Sequence, residues 1–406
     1  MPIFSWFTSN NHYLSIIGIG AILGVAYLFS TKRAAIKLRL IATALLMQAS
    51  LALFILKTEM GRYVFGSMAH GFEALQGFGS KGCEFVFGGL ADASGPWGYV
   101  FAIKVLPVII FFGALMSVLY HLGVVQVIVS GIAFIIRPLL GTSGAETLSV
   151  AANSVLGQTE APLLIKNYLA RMTDSEIFTV MVSGMAHLSG SLLAVYGMMG
   201  IPIVHLLSAS VMAIPGAILI SKMLQPEVDS PETLGGQQVK MPRETSNILD
   251  ALFVGTTDGL KLAVNVAAML IAFIALMALV DAVLVGLTGF SVNMIFGYLF
   301  SGVAYLIGIP AAECSTAGTL LGQKLAINEF VAYASMVKAA LSDRSVAILT
   351  YALAGFSNFS CIGIQIGGIG AICPSKRLLL TKLGMRALLG GTLANLLNAA
   401  IASLFI

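Results

Sequence analysis

Leu262-Ala-Val-Asn-Val-Ala-Ala-Met-Leu-Ile-Ala-Phe-Ile-Ala-Leu-Met-Ala-Leu-Val280 contains no ionisable side chain. About twenty apolar residues are what a helix needs to cross ~30 Å of hydrocarbon. Tyr13–Ser30 and Val100–Leu122 are further runs of this kind, with at most one Lys, Arg, Asp or Glu each. Over the 406 residues, 58% are hydrophobic and 10% are charged, against roughly 25% charged in a soluble domain. The runs are continuous rather than alternating, which excludes a transmembrane β-barrel. The chain is an all-α polytopic membrane protein.

Apolar length, Gly and Pro punctuation and charge predict eight transmembrane helices, near 12–30, 40–57, 97–121, 175–198, 203–222, 250–285, 345–370 and 378–405. The first run is followed, not preceded, by Lys32, Arg33, Lys37 and Arg39. It is therefore expected to remain as an uncleaved span rather than a secretory signal. With the N-terminus outside, 14 of the 22 Lys and Arg fall inside, in keeping with cytoplasmic loops that collect positive charge. Both termini are then expected to be periplasmic. Gln225–Ser246, rich in polar residues, Pro and Gly, reads as a flexible cytoplasmic linker between two halves.

Segments 125–170 and 290–340 are too apolar for solvent and too broken for spans, so each predicts a re-entrant helical hairpin. Non-helical backbone at membrane depth is tolerated where protein or a water-filled cavity satisfies it, and such hairpins usually mark a substrate path. Each is followed by a span interrupted with small and polar residues: Ser183-Gly-Met-Ala-His-Leu-Ser-Gly190 in the first half, Gly355-Phe-Ser-Asn-Phe-Ser-Cys-Ile-Gly363 in the second. One hairpin entering from each side is the pattern of an inverted repeat around a midplane site.

The first hairpin turns near Asn153-Ser-Val-Leu-Gly-Gln-Thr-Glu-Ala-Pro162, and Asn328-Glu329-Phe330 holds the equivalent place in the second. A carboxylate at depth costs ~2.5–3.5 kcal/mol on insertion scales, which makes Glu160 and Glu329 functional candidates, with a structural ion pair as the alternative. Ser357, Asn358, Ser360 and Cys361 cluster in the second break; helix packing would also explain the serines. His187 in the first break is either a hydrogen-bonded structural residue or a ligand or proton carrier. Ser143 and Glu146 match a capping box better than a protease nucleophile. The four cysteines form no CxxC pair, and the chain carries neither HExxH nor a P-loop. An enzyme is not expected, and energy must come from an ion gradient or a partner.

Gly157-Gln-Thr-Glu-Ala-Pro162, Asn328-Glu-Phe-Val-Ala332, Gly355-Phe-Ser-Asn-Phe-Ser360 and Ala268-Met-Leu-Ile-Ala-Phe273 resemble the concentrative nucleoside transporters, especially the bacterial sodium-coupled members, over nearly the whole chain. The resemblance implies a homotrimer in membrane lipid, with scaffold segments 1–122 and 248–289 and elevator-like transport segments 123–224 and 290–406, joined by the linker 225–247. It implies import of a nucleoside such as uridine across the bacterial inner membrane. It further implies a sodium ion as the coupling ion, with no organic cofactor and no nucleic-acid polymer bound. A proton-coupled nucleoside or nucleobase symporter is the alternative.

By the same resemblance Gln158, Thr159 and Glu160 meet the nucleobase. Glu329, Asn358 and Cys361 meet the sugar, and Leu192 and Phe356 form apolar walls. Asn153, Leu156, His187 and Leu188 hold the sodium ion, mainly through carbonyls. Two positions depart from the family pattern: His187 replaces a small hydroxyl residue, and Cys361 a serine, a stronger hydrogen-bond partner than a thiol.

Overall fold

The computed structural model describes residues 12–92, 100–234 and 245–406, and every regular element among them is helical. The first two spans are α1 (His12–Leu28) and α2 (Leu38–Lys57). The sequence predicts no element between 57 and 97, but α3 (Glu59–Phe87) fills most of that stretch. Its charges, among them Glu59, Arg62, Glu73 and Lys81, are too many for a span. Its buried Gly61, Phe65 and Ala69 recur every fourth residue, so one face is apolar and the helix is amphipathic. Thr58 caps it by accepting from the Gly61 amide at 2.9 Å. The third span is α4 (Phe101–His121); positions 97–99 of the expected span lie outside the described residues.

The first hairpin region divides in two. A separate helix, α5 (Val124–Leu140), ends at Gly141, whose φ of 64° is left-handed and suits glycine. Ser143 then starts α6 (Gly144–Asn153) with the expected capping box to Glu146. The hairpin proper is α6, the turn over 154–160, and a return arm of short 3-10 turns at Ala161–Ile165 and Leu169–Arg171. The interrupted span becomes α7 (Asp174–Ala186) and α8 (Gly190–Met198), followed by α9 (Ile203–Leu224).

After the linker, α10 (Ile248–Thr288) runs for 41 residues, and α11 (Val292–Leu306) again precedes a hairpin. The second hairpin consists of α12 (Cys314–Ala326) and α13 (Glu329–Met336). The second broken span is α14 (Asp343–Leu353) and α15 (Phe359–Ile372), and α16 (Arg377–Ser403) is the last. Separate helix, hairpin, broken span and unbroken span thus occur in the same order twice, as the inverted repeat requires. The predicted hairpin regions begin too early because α5 and α11 are apolar and join the hairpins through only a few residues.

Two sets of contacts organise these elements. α4 and α10 touch backbone to backbone: a Cβ on Gly255 would lie 2.6 Å from the Gly113 carbonyl oxygen. α1 and α2, by contrast, are bonded to the second half. Gln48 donates to Asn398, Ser403 donates to Ser15 at 2.6 Å, and Arg386 donates to the Phe29 carbonyl at 3.0 Å.

The linker differs from its expected flexibility over its first part. The Thr233 carbonyl accepts from Gly144 N at 3.1 Å and its hydroxyl from Ala145 N at 3.0 Å. The first amides of α6 have no partner within their own helix, and this segment supplies one. Lys222, buried at the end of α9, donates to Glu146 at 2.7 Å and Glu227 at 3.3 Å, fastening the linker to the hairpin base. Residues 235–244 of the linker lie outside the described ones.

Candidate functional site

The two breaks cross at one point. Asn395 of α16 donates to the carbonyls of Ala186 and Ala354, both at 2.8 Å, and so satisfies backbone freed in each broken span. Its carbonyl accepts from Lys324 at 2.7 Å and from Ser357 at 3.1 Å. Every hydrogen-bonding group of the amide is used. Lys324, 3% exposed, also donates to the Ala352 carbonyl at 2.8 Å, which ties the second hairpin to the crossing. Gly355 is required there: a Cβ would lie 2.5 Å from Asn395 Oδ1 and 2.8 Å from the Ala186 oxygen.

A continuous polar chain runs beside this crossing. Gln158 Nε2 donates to Cys361 Sγ at 3.0 Å; the Cys361 amide donates to Asn358 Oδ1 at 3.0 Å; Asn358 Nδ2 donates to Glu329 Oε2 at 3.2 Å. Asn358 and Asn328 are the N-caps of α15 and α13, so local capping chemistry sets both helix starts at the site. Tyr196 of α8 donates to Glu329 Oε1 at 2.9 Å. The first hairpin, both broken spans and the second hairpin therefore converge on Glu329 and Cys361. All these side chains are buried.

Leu192 lies one turn before Tyr196 on α8 and so shares its face, and Phe356 sits in the second break; both are buried. Thr159 and Glu160 stand at the exposed tip of the first hairpin and are not bonded into this chain. Glu160 instead accepts from the Gly157 amide at 3.1 Å, and Thr159 faces Gly368 of α15. Tyr196, Gln365, Lys324 and Asn395 were not singled out in the sequence. For Tyr196 and Gln365 a signal was there: each is a polar residue inside an otherwise apolar helix.

Asn153, Leu156, His187 and Leu188 are buried where the first hairpin turn meets the first break. The amide of Gly190 donates to the Val155 carbonyl at 3.1 Å and joins the two. Asn153 Nδ2 donates to Ser183 Oγ at 3.1 Å, leaving Asn153 Oδ1 buried without a partner. His187 Nδ1 lies 2.8 Å from the Ser183 carbonyl, so that nitrogen carries the proton and Nε2 is a bare lone pair, also buried and without a partner. An orphaned amide oxygen at a helix break suits a hard cation, which takes oxygen ligands. The imidazole nitrogen is a poorer ligand for such an ion but can hold a water molecule.

Residues 17–90, 102–202 and 205–403 match, in turn, the Na+ dependent nucleoside transporter N-terminus, a nucleoside-recognition Gate region and the Na+ dependent nucleoside transporter C-terminus. The chain is 43% identical to an uncharacterized transporter of Haemophilus influenzae, over 97% of each chain. It is 38% identical to the nucleoside permease NupC of Helicobacter pylori, again over 97% of each. With the sodium/nucleoside cotransporter 1 of Rattus norvegicus it shares 38% identity over 96% of this chain and 63% of that one. Among solved structures it resembles CNTnw in an inward-facing substrate-bound state, with TM-score 0.93, 40% identity, and 97% and 98% of the two chains covered. Against an outward-facing state of CNTnw the TM-score is 0.91, at 39% identity and 97% coverage of both chains.

Proposed function

This chain belongs to the sodium-dependent nucleoside transporter family, and on that premise we propose that it is a symporter importing nucleosides such as uridine with one sodium ion each. The observation that carries this reading is the polar chain Gln158–Cys361–Asn358–Glu329, buried in apolar helices and fed by both hairpins. A nucleoside is neutral and presents amide-like base edges and vicinal hydroxyls. The amide of Gln158 suits the first, with Thr159 and Glu160 beside it at the tip. The carboxylate of Glu329 and the amide of Asn358 suit the second. Cys361 lies between them, and Leu192 and Phe356 close the apolar sides.

Sodium is held by Asn153, Leu156, His187 and Leu188, beside the hairpin turn that carries Gln158. Its binding then favours the tip conformation that meets the base. One positive charge entering through 100 mV contributes ~2.3 kcal/mol, and a tenfold sodium gradient adds ~1.4 kcal/mol. Together they support about 500-fold accumulation. No organic cofactor takes part.

The protein works as a homotrimer in the bacterial inner membrane, with both termini periplasmic. The apolar centre of α10 is unburied in the single chain, which supports a role for it in subunit contact. α10 and α4 form the scaffold, against which the hairpins and broken spans move like an elevator. The bonds of Gln48, Ser15 and Phe29 to α16 favour α1 and α2 travelling with the moving part rather than with the scaffold.

A second reading, a proton-coupled nucleoside or nucleobase symporter, draws on the bare Nε2 of His187. Competition against labelled uridine uptake in proteoliposomes tests the substrate class. Nucleosides should compete well and free bases poorly; equal competition by free uracil would favour the nucleobase reading.

A further inference from the structure

Gln365 lies on α15, 1% exposed, behind the tip of the first hairpin. Its Nε2 donates to the Met181 carbonyl at 3.0 Å and to Gln158 Oε1 at 3.2 Å. α7 makes room for it: a Cβ on Gly184 would lie 2.5 Å from Gln365 Nε2 and 3.1 Å from Gln158 Cβ. A glutamine amide can ordinarily be turned end for end without changing its shape, so which end it shows depends on its partners.

Here the partners decide. A backbone carbonyl can only accept, so the side facing Met181 must be the NH2 group. The same NH2 faces Gln158, which must therefore present its own oxygen to Gln365. That leaves Gln158 Nε2 as the group directed at Cys361 and the site. Hydrogen-bond direction thus passes from a fixed main-chain carbonyl on α7, through Gln365, to the hairpin tip.

We propose that Gln365 is a positioning residue for base recognition: it makes Gln158 an obligate donor, so the exocyclic group of the base that meets it must be a carbonyl and not an amine. The inference rests on Gln158 being a base contact. Uridine and inosine carry a carbonyl at the position where cytidine and adenosine carry an amino group. The wild-type protein favours the carbonyl member of each pair, because an amine facing the NH2 of Gln158 leaves two donors opposed and unpaired.

Apparent KM values for the four nucleosides should be measured in proteoliposomes for wild type, Gln365→Met, Gln365→Glu and Gln158→Leu. Nucleoside-dependent thermal stabilisation of the purified proteins gives the same ratios where uptake is slow. In Gln365→Met the tip amide is free to turn, and both carbonyl-over-amine ratios should fall at least ~3-fold. In Gln365→Glu, which cannot donate to both oxygens, Gln158 turns its NH2 toward the new carboxyl group and the ratios should fall further. A structural role would change the rate for all four nucleosides alike. Unchanged ratios in both Gln365 variants, with changed ratios in Gln158→Leu, would overturn the inference alone. Unchanged ratios in Gln158→Leu would overturn the base contact on which it rests.

Discussion

The phenol of Tyr196 donates to Glu329 Oε1 at 2.9 Å, joining the first broken span to the turn of the second hairpin. Asn358 occupies the other carboxylate oxygen at 3.2 Å. A carboxylate has about four lone-pair sites, so both oxygens can still accept from a sugar hydroxyl while the protein fixes their direction. Tyr196 also packs its ring against Tyr333 and Phe330, with centroids 4.6 and 5.8 Å away. Tyr196→Phe keeps this packing and removes one hydrogen bond to a charged group. Such a bond contributes ~1.5–3 kcal/mol to the stability of the fold, so thermal stability should fall, and the KM for uridine should rise because Glu329 Oε1 loses the partner that fixes its direction. An unaltered KM would place the phenol outside substrate binding.

Glu329→Gln removes the charge but keeps the shape. Each charge-assisted bond to a ribose hydroxyl is weakened, and uridine affinity should drop severely. A 2′,3′-dideoxynucleoside lacks those hydroxyls; the wild type should take it up poorly, and the mutation should harm it less. Equal losses for both substrates in uptake assays would point to a structural or coupling role.

Gly355 and Gly363 flank the same break but differ in their surroundings. A Cβ at Gly355 would lie 2.5 Å from Asn395 Oδ1, whereas nothing lies within 4 Å of one at Gly363. Gly355→Ala should disrupt the Asn395 crossing, lowering thermal stability and abolishing uptake. Gly363→Ala, inside α15, should be tolerated, since alanine favours helix by ~1 kcal/mol over glycine. Similar behaviour of the two variants would mean that the crossing is not a fixed joint.

Topology follows from charge. Residues 225–246 should be cytoplasmic and Ile406 periplasmic, because that arrangement gathers the Lys and Arg inside. Reporter fusions at these points read it directly. A cytoplasmic signal from a fusion after Ile406 would reverse the proposed sidedness.

The spans, both hairpins and both breaks were legible because apolar length and its interruption by Gly and polar residues are local signals. α3 was not, because a charged helix with one buried face reads as a loop when only spans are sought. Glu329, Asn358, Gln158 and Cys361 stood out by motif, and the structure brings them together. Thr159 and Glu160 stood out equally but remain outside that cluster. Gln365 and Asn395 carry no motif. Their partners, Met181 and Ala186, lie 184 and 209 residues away in the chain, so their roles arise only where the two repeats cross.

Sodium coupling is the central claim, and uptake into proteoliposomes with sodium and proton gradients imposed separately tests it most directly. Asn153 Oδ1 and His187 Nε2 are the two buried atoms that such a cation site leaves open, and they favour different ions. Carbonyl and amide oxygens suit sodium, whereas the bare lone pair of an imidazole nitrogen suits a proton. Labelled uridine should accumulate under an inward sodium gradient at equal pH, in wild type and in His187→Ser alike. Accumulation driven by a pH gradient in sodium-free buffer, and lost in His187→Ser, would contradict sodium coupling.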